Sequence, residues 1–287
     1  MRLRSVIEKM AKEYETPSGQ IFQGLSFEDI RAVAQKVEMT AKEVEIEALK
    51  AGIVPLRYQR NIGTLGIDGQ IKLLKACCAV IGCGGLGGLV IELRTRAGVG
   101  RLKVVDSKRF KEENLNRQVL SSEISARAGR MKAEVAKEWI GVVNSATELE
   151  PYTIELNEKN AKETLRGVDV AVDALDSVTT RLTLQDAASK ANVPLVSAAI
   201  AGFCGYVTTI FPQDRGWYTF YPKEKAPSAG IERQLGNLGP TAALAASLEA
   251  QEVIKILTGK GDPLRNRFLF FDTENNTFTY IEIPSPV

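Results

Sequence analysis

Ala79-Val80-Ile81-Gly82-Cys83-Gly84-Gly85-Leu86-Gly87-Gly88 is the stretch whose reading decides the fold. A short apolar run of strand type, Cys77 to Ile81, enters it, and a helical pattern, Leu86 to Ala97, leaves it. Between them the glycines are spaced G-x-G-G-x-G. Glycine at such a junction makes the tight strand-to-helix turn, lets backbone N–H groups approach a phosphate, and lets the helix pack closely on the strand. The helix N-terminus adds unpaired N–H groups and a partial positive charge, both suited to an anion. The stretch reads as a nucleotide-phosphate site; a glycine-rich turn that holds no ligand is the competing reading.

Outward from this turn, strand and helix patterns alternate. Strands are expected at Cys77–Ile81, Leu102–Asp106, Glu150–Glu155, Val168–Ala174 and Pro194–Ser197. Helices are expected at Leu86–Ala97, Gly129–Asn144, Asn160–Leu165 and Ser177–Ala191. Such alternation implies a parallel sheet with helices on both faces, with the strand C-termini along one edge. That edge carries Gly82, Asp106 and Asp176. After Ser197 the pattern changes. Tyr206–Pro212 and Tyr218–Tyr221 are of β type, and Arg267–Asp272 and Thr277–Ile283 suggest a hairpin across Glu274-Asn275-Asn276. Lys223–Leu238 reads as a long polar loop and Pro240–Thr258 as a long helix. The fold class is therefore α/β: a Rossmann-like sheet with a parallel N-terminal half and an antiparallel C-terminal half, and helices on both faces.

Residues 1–55 are separate in character and form a small helical extension. Ser26-Phe27-Glu28-Asp29 and Thr40-Ala41-Lys42-Glu43 look like helix starts, the second a capping box. Apolar residues then recur at helical spacing. Pro55 ends the pattern, and a further helix is expected from Ile67 to Lys75. The remaining 56–287 form the main domain.

Composition narrows the chemistry. The chain has 287 residues, 44% apolar, with 37 basic and 35 acidic residues and a formal charge of +2. That balance argues against a nucleic-acid footprint or a polybasic membrane surface. No apolar run approaches the ~18 residues of a membrane span, and no apolar segment follows Met1-Arg2-Leu3-Arg4 as a secretory signal requires. The four cysteines, Cys77, Cys78, Cys83 and Cys204, form no C-x-x-C pair, which suits a reducing, cytoplasmic protein. There is no histidine. A Ser-His-Asp triad, a Cys-His pair and a histidine-based zinc site are thereby excluded.

The polar residues on the expected ligand edge suit a charged nucleotide. Asp106 ends the second strand of the alternating region, where an acid accepts hydrogen bonds from ribose hydroxyls; capping the next turn is its plainer role. Asn114-Leu115-Asn116-Arg117-Gln118 follows, and Lys132 opens a helix. Arg117 and Lys132 together can hold several phosphates. Asp176, just past the fourth strand, is placed to hold Mg²⁺ against phosphate oxygens. Asp173 is either part of the same site or a structural acceptor, and Arg181 either orients Asp176 or meets substrate. NAD requires only the ribose acid and the pyrophosphate loop, whereas a triphosphate with Mg²⁺ uses the whole set.

These residues resemble the ThiF/MoeB/HesA family of the ubiquitin-activating-enzyme superfamily. The matching segments are Arg57-Tyr58-x-Arg60-Asn61, Gly82–Gly87, Ala97–Gly100 leading to Asp106, Asn114–Gln118, Gly129-x-x-Lys132, Asp173-Ala-Leu-Asp176, Val193–Ser197 and Ser247–Lys255. The similarity runs from about Leu56 to the C-terminus. It implies that Gly82, Gly84, Gly85 and Gly87 cradle phosphates of ATP, with Ser177 beside them, and that Asp106 binds the ribose. Asn114, Arg117 and Lys132 would contact the triphosphate, and Asp176 would hold Mg²⁺. Arg60 resembles the family's arginine finger, given in family homodimers by the neighbouring subunit. The implied reaction is adenylation of the C-terminal glycine carboxylate of a small β-grasp sulfur carrier ending in Gly-Gly, with release of pyrophosphate, in molybdopterin-, tungstopterin- or thiamin-type sulfur transfer. A carboxylate is already a nucleophile, so the absence of histidine is no obstacle.

The departures from the family pattern are also informative. Two C-x-x-C pairs for structural zinc are missing: Gly216–Tyr221 and Pro284–Val287 contain no cysteine. Zinc is expected to be absent, with aromatic packing in its place. The crossover loop Lys223–Leu238 lacks the cysteine that many members use to take the carrier covalently, which leaves Cys204 as the one thiol outside the first strand and turn. The enzyme is thus expected to stop at the acyl-adenylate. The position of a second acid after Asp106 is Lys108. Alternatives are adenylation of a small-molecule or tRNA-linked carboxylate, a nucleotide-binding scaffold without turnover, and an NAD(P) oxidoreductase.

Overall fold

The structure, a computed structural model, describes residues 3–221 and 230–283, the side chain of Arg233 excepted. The chain begins with α1 (Leu3–Met10), β1 (Lys12–Glu15), β2 (Ile21–Leu25), α2 (Phe27–Val37), α3 (Ala41–Lys50) and β3 (Val54–Pro55). Both expected helix starts carry reciprocal caps. Ser26 Oγ accepts the Asp29 N–H while Asp29 accepts the Ser26 N–H, and Thr40 and Glu43 do the same. Ile7, Ile30, Val33, Val44 and Ala48 close a core of their own. The sheet in this region was not expected. β1 and β2 pair antiparallel, and β3 adds in parallel to β2. These strands are four, five and two residues long, and β1 (Lys-Glu-Tyr-Glu) offers no apolar alternation to read.

Helix α4 (Gln59–Lys75) starts eight residues before the expected Ile67, because a kink at Gly66 (φ 68°) joins two helical pieces. The main sheet follows. Its strands are β4 (Cys77–Ile81), β5 (Arg101–Val105), β6 (Glu148–Tyr152), β7 (Val170–Asp173), β8 (Leu195–Ala201), β9 (Cys204–Ile210), β10 (Arg267–Asp272) and β11 (Thr277–Glu282). Its helices are α5 (Gly85–Ala97), α6 (Glu123–Arg127), α7 (Lys132–Val143), α8 (Ala161–Thr164), α9 (Val178–Ala191), α10 (Glu232–Leu235) and α11 (Gly239–Thr258). The strand order is β11-β10-β9-β8-β7-β4-β5-β6. β8, β7, β4, β5 and β6 are mutually parallel; β9, β10 and β11 alternate in direction. The expected parallel and antiparallel halves are thus observed.

Both faces of the sheet are covered, which explains the unbroken apolar sequence of β4. Cys78 and Val80 point to one core with α5, α7 and α11 residues such as Val90, Ala136 and Val253; Cys77, Ala79 and Ile81 point to the other with Leu165, Leu184 and Trp217. From β4 the chain winds outward to β5 and β6, then returns to the other side of β4 as β7. The crevice at this reversal, beyond the strand C-termini, is where an open α/β sheet places its ligand.

Two local expectations are corrected. Tyr218–Tyr221 is not a strand: Gly216–Thr219 form a 3₁₀ turn. Trp217 is buried there, its N–H donating to Gln185 and its Nε1–H to Ser197 Oγ at 2.9 Å each. Aromatic content suggested a strand, but ring burial selected a turn. Of the expected loop Lys223–Leu238, residues 223–229 lie outside the described residues, and the described part contains the short helix α10. The tail Pro284–Val287 also lies outside them.

Candidate nucleotide site

A cleft of about 620 Å³ opens at the reversal between β4 and β7. Its floor is the glycine turn. Gly82 has φ 102°, and a Cβ there would meet the Ala174 carbonyl oxygen at 2.5 Å. Gly84 precedes the first turn of α5 with no side-chain cap, which leaves the helix N-terminus, beside the cleft, without a side-chain acceptor. Gly82, Gly84 and Gly85 line the cleft; Gly87 does not. A Cβ on Gly87 would sit 1.8 Å from the Gly82 carbonyl oxygen, so its task is close packing of helix on strand.

Asp106 lies one residue past β5. Its two oxygens accept the Cys83 N–H and the Lys108 N–H, each at 2.7 Å, tying the loop after β5 to the glycine turn. Arg117, Gln118 and Lys132 form the adjoining wall. Lys132 is 5% exposed, with its Nζ 5.6 Å from the Phe110 ring centre. Burial pulls its pKa below the lysine range; Asp106 opposes this, and Lys108 and Arg117 add to it. Cationic groups thus crowd the wall, which suits a polyanion.

Asn114 is not among the cleft-lining residues. It is buried, its Oδ1 accepting the Lys111 N–H at 3.0 Å and its carbonyl accepting the Arg117 and Gln118 N–H groups. It folds the loop that presents Arg117. Asp176 and Ser177 line the opposite wall, and Ser177 Oγ caps α9. Asp176 Oδ2 accepts from Lys108 Nζ at 2.6 Å. The protein atoms crowding one side of the Asp176 carboxyl push its pKa up, but the hydrogen bond and charge of Lys108 prevail and hold it below the usual range.

Asp173 turns out to be structural. It is fully buried, accepting from Arg181 at 2.8 Å, from Ser197 at 2.6 Å and from the Leu175 N–H at 3.1 Å. Arg181 also donates to the Leu175 and Ala198 carbonyls. It therefore fixes the 174–176 segment that carries Asp176, a role its sequence position left open. Arg57 does not face the cleft either. It joins buried Glu45 at 3.5 Å and donates to Asn144. Arg60 is exposed and lies outside the cleft of its own chain.

With this geometry the chain can be compared with known proteins. The model of the ThiF family matches residues 58–286. The chain belongs to the ThiF family. It is 34% identical over 225 residues to the SAMP-activating enzyme E1 of Haloferax volcanii, covering 77% of this chain and 83% of the relative. It is 35% identical to the sulfur carrier protein adenylyltransferase of Thermus thermophilus, covering 79% and 86%. Mouse adenylyltransferase and sulfurtransferase MOCS3 is 36% identical over 79% of this chain, which spans about half of that longer relative. Among solved structures, E. coli MccB with ATP has a TM-score of 0.68 at 22% identity, covering 80% of this chain and 71% of that one. MccB in complex with N-formylated MccA has a TM-score of 0.66 at 22% identity, over 97% of both chains. Its likeness in fold thus extends beyond the ThiF segment into the N-terminal residues.

The segment Gly216–Tyr221, read from sequence as aromatic packing, forms such a cluster. Trp217 packs against Tyr206, Tyr221 and Phe268 at 5.5, 6.1 and 5.6 Å between ring centres. Cys204 lines the far end of the same cleft. Burial raises its pKa, and the neighbouring Asp272 charge and hydrogen bond raise it further. Such a thiol is a poor nucleophile at neutral pH. No helix among the described residues is long and apolar enough to cross a membrane.

Proposed function

We propose that the protein is an adenylyltransferase that uses ATP to activate the C-terminal glycine carboxylate of a small β-grasp sulfur carrier ending in Gly-Gly. The observation that carries this reading is the cleft itself. A glycine turn at a helix N-terminus, a ribose acid, several cationic side chains and a further carboxylate meet on one sheet edge, and the chain has no histidine to act as a general base. Adenylation needs none. A carboxylate oxygen of the carrier attacks the α-phosphorus, the α–β bond breaks, and pyrophosphate leaves with the charge that Arg117 and Lys132 bind. The protein's contribution is in-line positioning and charge stabilisation. The names of the Haloferax and Thermus relatives support a carrier as the partner, in sulfur transfer of the molybdopterin, tungstopterin or thiamin type.

Mg²⁺ among phosphates asks for one or two carboxylates, with water and phosphate oxygens completing its shell. Asp176, 70% exposed at the cleft, fits that need. Among the described residues no three His, Cys, Asp or Glu side chains form a closed metal cage. When bound, Mg²⁺ would neutralise phosphate charge. We read the enzyme as zinc-free, with the Trp217 cluster filling the space. We also read it as a homodimer whose Arg60 completes the partner's site, and as cytoplasmic, in keeping with four free cysteines. Residues 1–55 are an appended module and 56–287 the adenylation domain. We assign phosphate roles to Gly82, Gly84, Gly85, Arg117, Lys132 and Ser177 and the ribose role to Asp106, a reading supported by their place along the cleft; Asn114 and Gly87 are assigned to support the site from behind.

The raised Cys204 pKa favours an enzyme that stops at the acyl-adenylate. Intact-mass spectrometry of enzyme, ATP and a Gly-Gly carrier tests this. The carrier should gain the mass of AMP while the enzyme keeps its own mass. A carrier linked covalently to Cys204 would contradict it.

A further inference from the structure

Lys108 stands where it is least expected: a cation at the mouth of a site that has to accept a divalent metal. Its backbone N–H is held by Asp106, and its side chain crosses the cleft mouth to Asp176 at 2.6 Å. The bridge joins the loop after β5 to the loop after β7, on either side of the glycine turn. As a stabilising contact it is minor. The two side chains are 60% and 70% exposed, and exposed pairs contribute little. Its position matters more, because Lys108 lines the same cleft as Arg117 and Lys132. An ammonium carries three donors, so Lys108 can keep Asp176 and still donate to a phosphate oxygen. The carboxylate best placed for a divalent ion is therefore already paired with a tethered cation.

We propose that Lys108 is a built-in cation of the polyphosphate site, binding the nucleotide's phosphates from its seat on Asp176 and supplying part of the charge that a divalent ion would otherwise bring. Two consequences follow. Nucleotide binding should tolerate removal of metal. A metal ion entering without nucleotide should bind weakly, since it competes with Lys108 for Asp176. The inference rests on the nucleotide-binding half of the proposed function and not on the identity of the acceptor.

The test is calorimetric titration of ATP into wild type, Lys108→Ala and Lys108→Gln, in EDTA and in millimolar Mg²⁺. Wild type should bind in EDTA. Both variants should lose about ten- to a hundredfold there, the worth of a charge-assisted hydrogen bond, and regain most of it with Mg²⁺. Electron paramagnetic resonance of Mn²⁺ without nucleotide should show tighter binding by the variants than by wild type. Equal metal-free affinity for ATP in wild type and both variants would overturn the proposal while leaving the nucleotide site in place. Absence of ATP binding by wild type under every condition would overturn the nucleotide site and this inference with it.

Discussion

Glu45 shows how a single buried charge joins the N-terminal module to the ThiF core. It is fully buried, accepts from Tyr58 Oη at 3.0 Å, and faces Arg57. Asn144 Nδ2 in turn donates to Tyr58 Oη at 2.9 Å, linking the junction to the end of α7. Burial raises the Glu45 pKa to about 7, with Arg57 and Tyr58 opposing. The unfolded carboxyl titrates near 4.5, so between these values the folded state keeps a proton that the unfolded state has released. Stability should therefore fall as pH rises from 4.5 to 7, by about 3 kcal/mol in total, and level off above. Glu45→Gln should flatten that slope in urea titrations at pH 5 and pH 8; parallel pH dependences would show that Glu45 is not the titrating group. This network was illegible in the sequence, because Glu45 sits in a charged helix and is buried only once α4 packs on it. The cleft residues were more legible. Gly82, Asp106 and Asp176 follow strands of the alternating pattern and Lys132 opens a helix on the same edge, so topology brings these four together; Arg117 arrives on a loop folded by Asn114. Asn114 and Asp173 carried the same residue chemistry, but Asn114 turns into its own loop and Asp173 into a buried network with Arg181 and Ser197, and only side-chain geometry separates the two cases.

At the scale of the element, the strand–turn–helix unit sets the tolerance of the whole site. Gly87→Ala places a methyl 1.8 Å from a carbonyl oxygen, which α5 can relieve only by moving off β4. We expect a loss of about 3 kcal/mol or more and a melting temperature lower by roughly 10 °C. Gly63→Ala, on α4 with open space around the new methyl, should be neutral or stabilising by up to ~1 kcal/mol. Equal melting of the two variants would contradict the packing role of Gly87. The parallel half of the sheet was legible because its central strand β4 is apolar on both faces and its crossovers contain helices. The N-terminal three-stranded sheet was not, since its short charged strands lack period-two alternation. The turn at Gly216–Thr219 was misread because aromatic residues favour strands and buried turns alike.

At the scale of the molecule, the proposed arginine finger, Arg60, lies outside the cleft of its own chain. Arg60 is exposed and Asp176 faces the cleft, so a dimer with Arg60 acting across the interface predicts complementation. Arg60→Ala and Asp176→Asn should each be inactive. Subunits exchanged at equal ratio should recover about a quarter of wild-type activity, because half the dimers then hold one intact site. No recovery in verified heterodimers would assign Arg60 elsewhere. The central claim, adenylation of a carrier's terminal glycine, is tested most directly by ATP–pyrophosphate exchange with Mg²⁺ and β-grasp proteins ending in Gly-Gly. Exchange should depend on a carrier and vanish when its terminal glycine is removed. Tight ATP binding with no exchange for any such carrier would contradict it.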